Sequence, residues 1–143
     1  MKQRTLQYLT VFSAVLLGVS VFAQEPNISF ETQKIDLGDT LFCSGVSYPY
    51  FFVYENTGSA PLIVNEVIAT CPCLRVEFSS EPLPPAAKDT IRVYFTPTRP
   101  SKYTQRLSVF TNSPRNGIQL FAKGNFMKQS AWKSREILNY DEK

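Results

Sequence analysis

The chain has 143 residues, of which 43% are hydrophobic and 19% charged, with a formal net charge of +3 and no histidine. This length and apolar fraction predict one globular domain and argue against a wholly disordered chain. The absence of histidine excludes histidine-dependent catalytic triads, histidine metal ligands and the usual neutral-pH general base.

Residues 1–23 have the pattern of a secretory signal peptide. Lys2 and Arg4 give a basic start, an apolar segment follows, and Val21-Phe22-Ala23 matches a signal peptidase site. Because the apolar segment is shorter than a usual membrane span, we expect cleavage after Ala23 rather than an uncleaved anchor. The remaining chain is close to neutral. We expect it to be periplasmic or secreted, with no membrane span and no affinity for nucleic acid.

The first half of the remaining chain alternates short strands with turns. Alternating runs at 28–30 and 35–37 precede a dense aromatic and β-branched run at 48–55, and another strand is predicted at 62–70. The segment Asn56-Thr57-Gly58-Ser59-Ala60-Pro61 joins the last two as a turn. Asn and Gly tolerate left-handed backbone there, and Pro restarts the chain.

The second half has the clearest strand pattern. Apolar side chains alternate with polar ones at 74–78, 91–96, 106–110 and 118–123, which is typical of strands with one buried face. We therefore predict an all-β fold, an antiparallel β-sandwich of about seven strands, over residues 24–126. A polar tail follows at 127–143. It contains Trp132, the only tryptophan, and is expected to be either disordered or a short helix.

The order of motifs resembles that of a known bacterial family. Asn56 to Leu62 reads N-T-G-S-A-P-L, Cys71 to Cys73 reads C-P-C, and Thr111 to Pro114 reads T-N-S-P. These phrases resemble the N-T-G-x-x-P-L, C-G-C and S-N-S-P of the domain-of-unknown-function family 1573, over about residues 28–126. The resemblance implies an immunoglobulin-like sandwich related to the PapD, ASH and hydin modules and an envelope location, with no established activity. Proline replaces the glycine of C-G-C, so a flexible centre becomes rigid.

Cys43, Cys71 and Cys73 form the only reactive constellation in the sequence. Strand directions place them at one end of the sandwich, because Cys43 precedes the aromatic strand and Cys71 follows the next one. A structural disulfide from Cys43 to Cys71 or Cys73 is favoured, since closing a loop of roughly 30 residues contributes about 3–4 kcal/mol. The alternatives are three idle thiols, redox exchange by Cys71 and Cys73 with Cys43 resolving, and a trigonal Cu(I) site.

The last two strands predict a candidate partner face. Phe110 and Phe121 lie opposite the core-facing residues of their strands, near Arg106 and Lys123, and an exposed aromatic pair beside cations is typical of binding surfaces. The alternative is that Trp132 and the tail cover these rings. The PapD resemblance adds a second route, in which a partner adds a strand at the edge of the last strand.

The remaining polar residues predict no catalytic site and no cofactor. The carboxylates are scattered without catalytic spacing, and no activated serine or phosphate-binding glycine loop occurs. We predict an exported, non-enzymatic binding or structural module with an unidentified envelope protein as its partner. The alternative function is a thiol-based redox or Cu(I)-binding envelope protein that uses Cys43, Cys71 and Cys73.

Overall fold

Eight strands and one helix make up residues 24–140, the part of the chain that this computed structural model describes, with side chains described through residue 134. In chain order they are β1 (Ile28–Phe30), β2 (Lys34–Leu41), β3 (Tyr48–Asn56), β4 (Val64–Ala69), β5 (Leu74–Glu77), β6 (Lys88–Phe95), β7 (Ser101–Thr111), β8 (Ile118–Met127) and α1 (Gln129–Tyr140). The expected signal peptide lies outside the described residues. Within the described part, no helix is both long and apolar enough to cross a membrane.

The strands form two four-stranded sheets. The first sheet has the order β1-β3-β6-β5 and the second sheet has the order β2-β8-β7-β4. Every pair is antiparallel except β2 with β8, which is parallel. The predicted immunoglobulin-like β-sandwich is thus confirmed, with eight strands instead of about seven and with one mixed sheet.

Alternate side chains of both sheets fill the space between them. On β3, the buried residues Tyr50, Phe52 and Tyr54 alternate with more exposed ones, and Leu107 and Val109 are buried in the same way on β7. Burying one large apolar side chain contributes about 1.5–3 kcal/mol relative to leaving it exposed. The period-two pattern therefore specifies both the strands and the face that each strand turns inward.

Aromatic rings close one end of the core. Phe95 of the first sheet and Phe126 of the second have ring centroids 5.2 Å apart, and Tyr48 and Tyr103 pack edge-on against Phe126. Such contacts contribute about 0.5–1.5 kcal/mol per pair beyond burial. Phe95 pairs with Leu74, the residue after Cys73, so this cluster underlies the cysteine-containing end of the sandwich.

The N-T-G motif has a structural role. The Asn56 side chain is fully buried, and its Nδ2 donates to the carbonyl oxygens of Ala60 and Leu83 at 2.8 and 2.9 Å. Its Oδ1 accepts a hydrogen bond from the amide of Gly58 at 3.0 Å. A Cβ on Gly58 would overlap the backbone of Glu25. The motif therefore ties separate chain segments together and does not by itself indicate a ligand site.

The last strand, β8, is not an open edge. β2 pairs with β8 from Lys34, opposite Phe121, to Leu41, opposite Met127. The expectation that a partner adds a strand at β8 is therefore wrong, because the partner would first have to displace β2. The edge strands are β2 and β4 in the second sheet and β1 and β5 in the first.

Candidate functional site

The four residues of the predicted partner face lie on the outer face of the second sheet. Arg106 and Phe110 on β7, and Phe121 and Lys123 on β8, point away from the buried residues of their strands. Arg106 pairs directly with Phe121 across the two strands, and Lys34 of β2 pairs with Phe121 from the other side. Phe121 thus has a cation on each side. We call Lys34, Phe121 and Arg106 the cation–aromatic row.

Phe110 and Phe121 are separate features of this face. The pair formed by Ser108 and Gln119 lies between them, and Gln119 Nε2 donates to Ser108 Oγ at 3.0 Å. The Phe110 ring lies beside Gly117, where an added Cβ would be 3.7 Å from the ring. The face therefore presents two apolar positions with a small polar bridge between them.

An aliphatic side chain extends the same face to the β4 edge. Ile68 is 46% exposed and pairs with Ser108, while Glu66 pairs with Phe110. Trp132, the alternative cover for the rings, lies half-buried in α1. Among the ring pairs of the described residues, none joins Trp132 to Phe110 or Phe121.

A surface depression of about 370 Å³ adjoins the cation–aromatic row, and its lining includes Lys34, Asp36, Thr104, Phe121 and Lys123. Asp36 Oδ2 lies 3.0 Å from Lys123 Nζ. A hydrogen bond from the Gly38 amide, followed by one from Lys123, lowers the pKa of Asp36. Asp36 is therefore ionised at neutral pH and is not suited to act as a general acid.

A more exposed aromatic residue lies on the opposite side of the molecule, whereas the two rings of the predicted partner face are half-buried and not fully exposed as expected. Phe51 is 51% exposed on the outer face of the first sheet, where it pairs with Arg92. Phe51 was not predicted as a surface residue, because five of the eight residues at 48–55 are aromatic. The inward alternation of Tyr50, Phe52 and Tyr54 is the signal that could have identified it.

The structure joins Cys71 to Cys73 and leaves Cys43 as an exposed free thiol. The favoured interpretation, a disulfide from Cys43 to one of the other two, is therefore wrong. The loops nevertheless meet at one end, as strand directions predict. Ser47 Oγ lies 2.6 Å from Thr96 Oγ1, and the Thr96 amide donates to the Cys73 carbonyl at 2.9 Å.

Tyr48 fixes the backbone beside Cys43. Its hydroxyl donates to the Leu41 carbonyl at 2.6 Å and accepts a hydrogen bond from the Cys43 amide at 3.1 Å. Burial raises the pKa of Tyr48, the hydrogen bond from the Cys43 amide partly opposes this rise, and the Cys43 side chain adds to it. The main chain at Cys43 is thus held while its thiol stays exposed.

The observed disulfide restrains the chain only weakly. Cys71 and Cys73 are two residues apart, with Cα atoms at 5.1 Å. In the chain-entropy model, closing so short a loop contributes about 1.5–2 kcal/mol, against about 3–4 kcal/mol for a bond from Cys43. The bond also removes two of the three thiols that a Cu(I) site would need. No group of three or more His, Cys, Asp or Glu in the described part of the chain could hold a metal ion.

Comparison with known proteins identifies a family. Residues 28–126 match the family model described as "Protein of unknown function (DUF1573)". No curated protein sequence matches the chain.

Solved structures share the fold at low sequence identity. A protein of unknown function from Porphyromonas gingivalis W83 has a TM-score of 0.61 at 16% identity, with 76% of this chain and 50% of that chain covered. The ASH / PapD-like domain 7 of human CEP192 has a TM-score of 0.60 at 12% identity, with 77% and 93% covered. The secreted serine protease VesC from Vibrio cholerae has a TM-score of 0.53 at 15% identity, with 70% and 23% covered.

These matches have two consequences. The chain spans about half the length of the Porphyromonas protein and a smaller share of the protease. At such identities the likeness shows the fold alone. The PapD-like and immunoglobulin-like architecture implied by the motifs is therefore confirmed.

Proposed function

The chain belongs to the DUF1573 family, and from this membership and its sandwich fold we propose that it is an exported, non-enzymatic binding or structural module of the bacterial envelope. It engages a protein partner through the outer face of the second sheet. The observation that carries this proposal is the cation–aromatic row, in which Phe121 lies between Lys34 and Arg106.

The row has the composition of an interface centre. An aromatic ring supplies apolar area at little entropic cost, and arginine is among the residues most enriched at energetic centres of interfaces. The partner segment that fits it carries an apolar side chain flanked by carboxylates, because the ring has a cation on each side. Glu66, which pairs with Phe110, marks a position where the face is acidic and where a partner cation would be accommodated.

Ile68 supports an extension of this surface to the β4 edge. A partner that covers Phe121 and Phe110 would also reach Ile68, which is exposed at that edge. β4 is an edge strand, so its outward backbone groups are open to pairing with an added strand. Strand addition at β4, in place of β8, is an edge route consistent with this topology.

Export is part of the proposal. Residues 1–23 have the three regions of a signal peptide, and cleavage is expected after Ala23. Expression of the full sequence in a bacterial host, fractionation of the cells and mass spectrometry of the amino terminus test this step. The expected product begins at Gln24 and is found outside the cytoplasm. A product that retains residues 1–23 in the cytoplasm would contradict export.

Binding is tested by comparing matched variants of the outer faces of the two sheets. Phe121→Ser with Arg106→Ser alters the second sheet, and Phe51→Ser with Arg92→Ser alters the first sheet by the same changes. Each purified variant is immobilised and incubated with envelope extract, and bound proteins are quantified by mass spectrometry. Proteins lost from the first variant but retained by the second are the expected partners. Equal retention by both variants would contradict the proposed face.

Of the two alternative thiol functions, the bonded cysteine pair supports redox exchange and does not support Cu(I) binding. The Cu(I) form requires three thiolates at one point, whereas Cys71 and Cys73 are bonded to each other and Cys43 is separate from them. The redox function and the binding face involve different residues. An experiment that excludes one of these functions therefore does not exclude the other.

A further inference from the structure

The backbone of the C-P-C loop distinguishes its two sulfur atoms. The amide of Cys73 donates a hydrogen bond to Cys71 Sγ at an N···S distance of 3.1 Å. Pro72 lacks an amide hydrogen, so the Cys73 amide is the donor that the centre of this loop can offer. A donor directed at sulfur stabilises the thiolate form of that sulfur more than the thiol form.

We propose that Cys71–Cys73 is an exchangeable disulfide that reacts with a cysteine pair of another polypeptide, with attack at Cys73 Sγ and departure of Cys71 as the thiolate. The asymmetry follows from the hydrogen bond. In thiol–disulfide exchange, the bond breaks faster toward the sulfur that is the better leaving thiolate. The Cys73 amide stabilises negative charge at Cys71, so Cys73 is the sulfur that forms the mixed disulfide.

The exchange balances without a further reagent. A thiolate of the partner forms a bond to Cys73 Sγ, while the Cys71–Cys73 bond breaks and Cys71 takes up the electron pair and then a proton. The second thiolate of the partner then attacks the partner's sulfur in the mixed disulfide and forms a disulfide within the partner. Cys73 leaves as a thiolate and is protonated. The partner loses two electrons and two protons and gains a disulfide, and the Cys71–Cys73 pair is reduced to two thiols.

Contacts other than the disulfide also hold the loop. The Leu74 amide donates to the Cys71 carbonyl at 3.2 Å, and the Thr96 amide donates to the Cys73 carbonyl at 2.9 Å. Cys71 and Cys73 are half-buried against the core, and Leu74 is buried. None of these contacts is made by the sulfur–sulfur bond, so we expect the reduced protein to keep them and to remain folded. A disulfide whose loss leaves the fold intact is free to serve in exchange.

The location of the loop admits another polypeptide. The loop joins β4 to β5, and both are edge strands, one in each sheet. A partner segment lying along either edge runs toward the cysteine pair at the end of the strands. Cys43 is an exposed thiol at the same end of the molecule, so Cys43→Ser is needed as the background in which the pair is measured alone.

The first experiment measures whether the bond exchanges reversibly. Purified Cys43→Ser protein is equilibrated in glutathione buffers of stepped ratio, quenched with acid, alkylated and analysed by mass spectrometry, with circular dichroism recorded on the same samples. The expected result is a reversible two-electron titration in which the strand signal is unchanged. Pro72→Gly is expected to make the bond easier to reduce by at least about threefold in its equilibrium constant, because glycine loosens the loop that holds the two sulfurs together.

The second experiment tests the assignment of the two sulfurs. In the Cys43→Ser background, Cys73→Ser isolates the Cys71 thiol and Cys71→Ser isolates the Cys73 thiol, while the backbone donor remains in both. The pH dependence of alkylation is expected to have a midpoint about one pH unit lower for Cys71 than for Cys73. Brief exposure of the Cys43→Ser protein to limiting reduced glutathione, followed by an acid quench and peptide mapping, is expected to place glutathione mainly on Cys73.

Three outcomes would overturn the proposal. One is a Cys71–Cys73 bond that glutathione does not reduce, and another is loss of the strand signal on reduction, which would make the bond structural. The third is an equal or reversed alkylation midpoint together with glutathione on Cys71, which would remove the assignment of the leaving sulfur.

Discussion

The hydroxyl of Tyr50 donates a hydrogen bond to Oε1 of Gln105 at 2.6 Å, and this bond joins β3 of the first sheet to β7 of the second across the interior. Both residues are buried. Gln105 Nε2 is also buried and has no hydrogen-bond partner among the described residues. The interior of the sandwich thus contains a buried contact between two polar side chains of opposite sheets, and the hydrogen-bonding capacity of Gln105 is only partly satisfied.

Removing one member of this pair should destabilise the fold more than removing both. Tyr50→Phe leaves Gln105 Oε1 buried without its donor, which is expected to cost about 1–3 kcal/mol. Tyr50→Phe combined with Gln105→Leu removes both polar groups and should recover most of that loss. Urea unfolding of the two single variants and the double variant measures the coupling. Additive losses in the double variant would contradict the contact.

Stability is expected to fall under alkaline conditions. Burial raises the pKa of Tyr50, and burial followed by the nearby Asp89 carboxylate raises the pKa of Tyr54. A tyrosine with a raised pKa in the folded state contributes stability that is fully present below its unfolded value of about 10 and is lost as the pH rises further. The melting temperature should therefore decline above about pH 10. The melting temperature of the Tyr50→Phe variant should decline less steeply with pH than that of the unsubstituted protein. An equal slope in both proteins would count against ionisation of Tyr50 as a cause.

Gly58 should not tolerate a side chain. Gly58→Ala places a Cβ against the backbone of Glu25 and is expected to destabilise the protein by about 1–3 kcal/mol. Gly45→Ala is the comparison, because Gly45 has open space around it and a φ of 76°. The loss of stability in the Gly45→Ala variant arises from backbone conformation alone and is expected to be about 1 kcal/mol. Equal losses measured by chemical unfolding would contradict the steric explanation.

The fold was predictable because side-chain alternation determines which face of each strand is buried. The runs containing Ile91, Leu107 and Ile118 lie in β6, β7 and β8 with those residues inside. The parallel pairing of β2 with β8 was not predictable, since it depends on how a strand of only partly buried residues joins an edge. The number of strands and the identity of the edge strands depend on how the sheets assemble, so the alternation pattern within each strand does not predict them.

The candidate sites were predictable only in part. Strand parity placed Arg106 and Phe121 on one outer face, but Lys34 comes from a strand far away in the sequence and only the β2–β8 register brings it beside Phe121. The cysteine pairing failed for a different reason. Loop entropy favours a disulfide that closes a long loop, whereas the fold holds Cys71 and Cys73 side by side within one turn. A disulfide that closes this short loop forms without moving either sheet.

Site-specific photo-crosslinking from the outer face of the second sheet tests the central claim most directly. A photoreactive amino acid is introduced in place of Ser108, which lies among Arg106, Phe110 and Ile68, and in separate protein in place of Phe51 on the other sheet. After irradiation in cells, adducts are identified by mass spectrometry. The account predicts a discrete protein adduct from position 108 that is absent from position 51 and is lost when Phe121→Ser and Arg106→Ser are added. An adduct from position 51 alone, or one from position 108 that survives those substitutions, would contradict it.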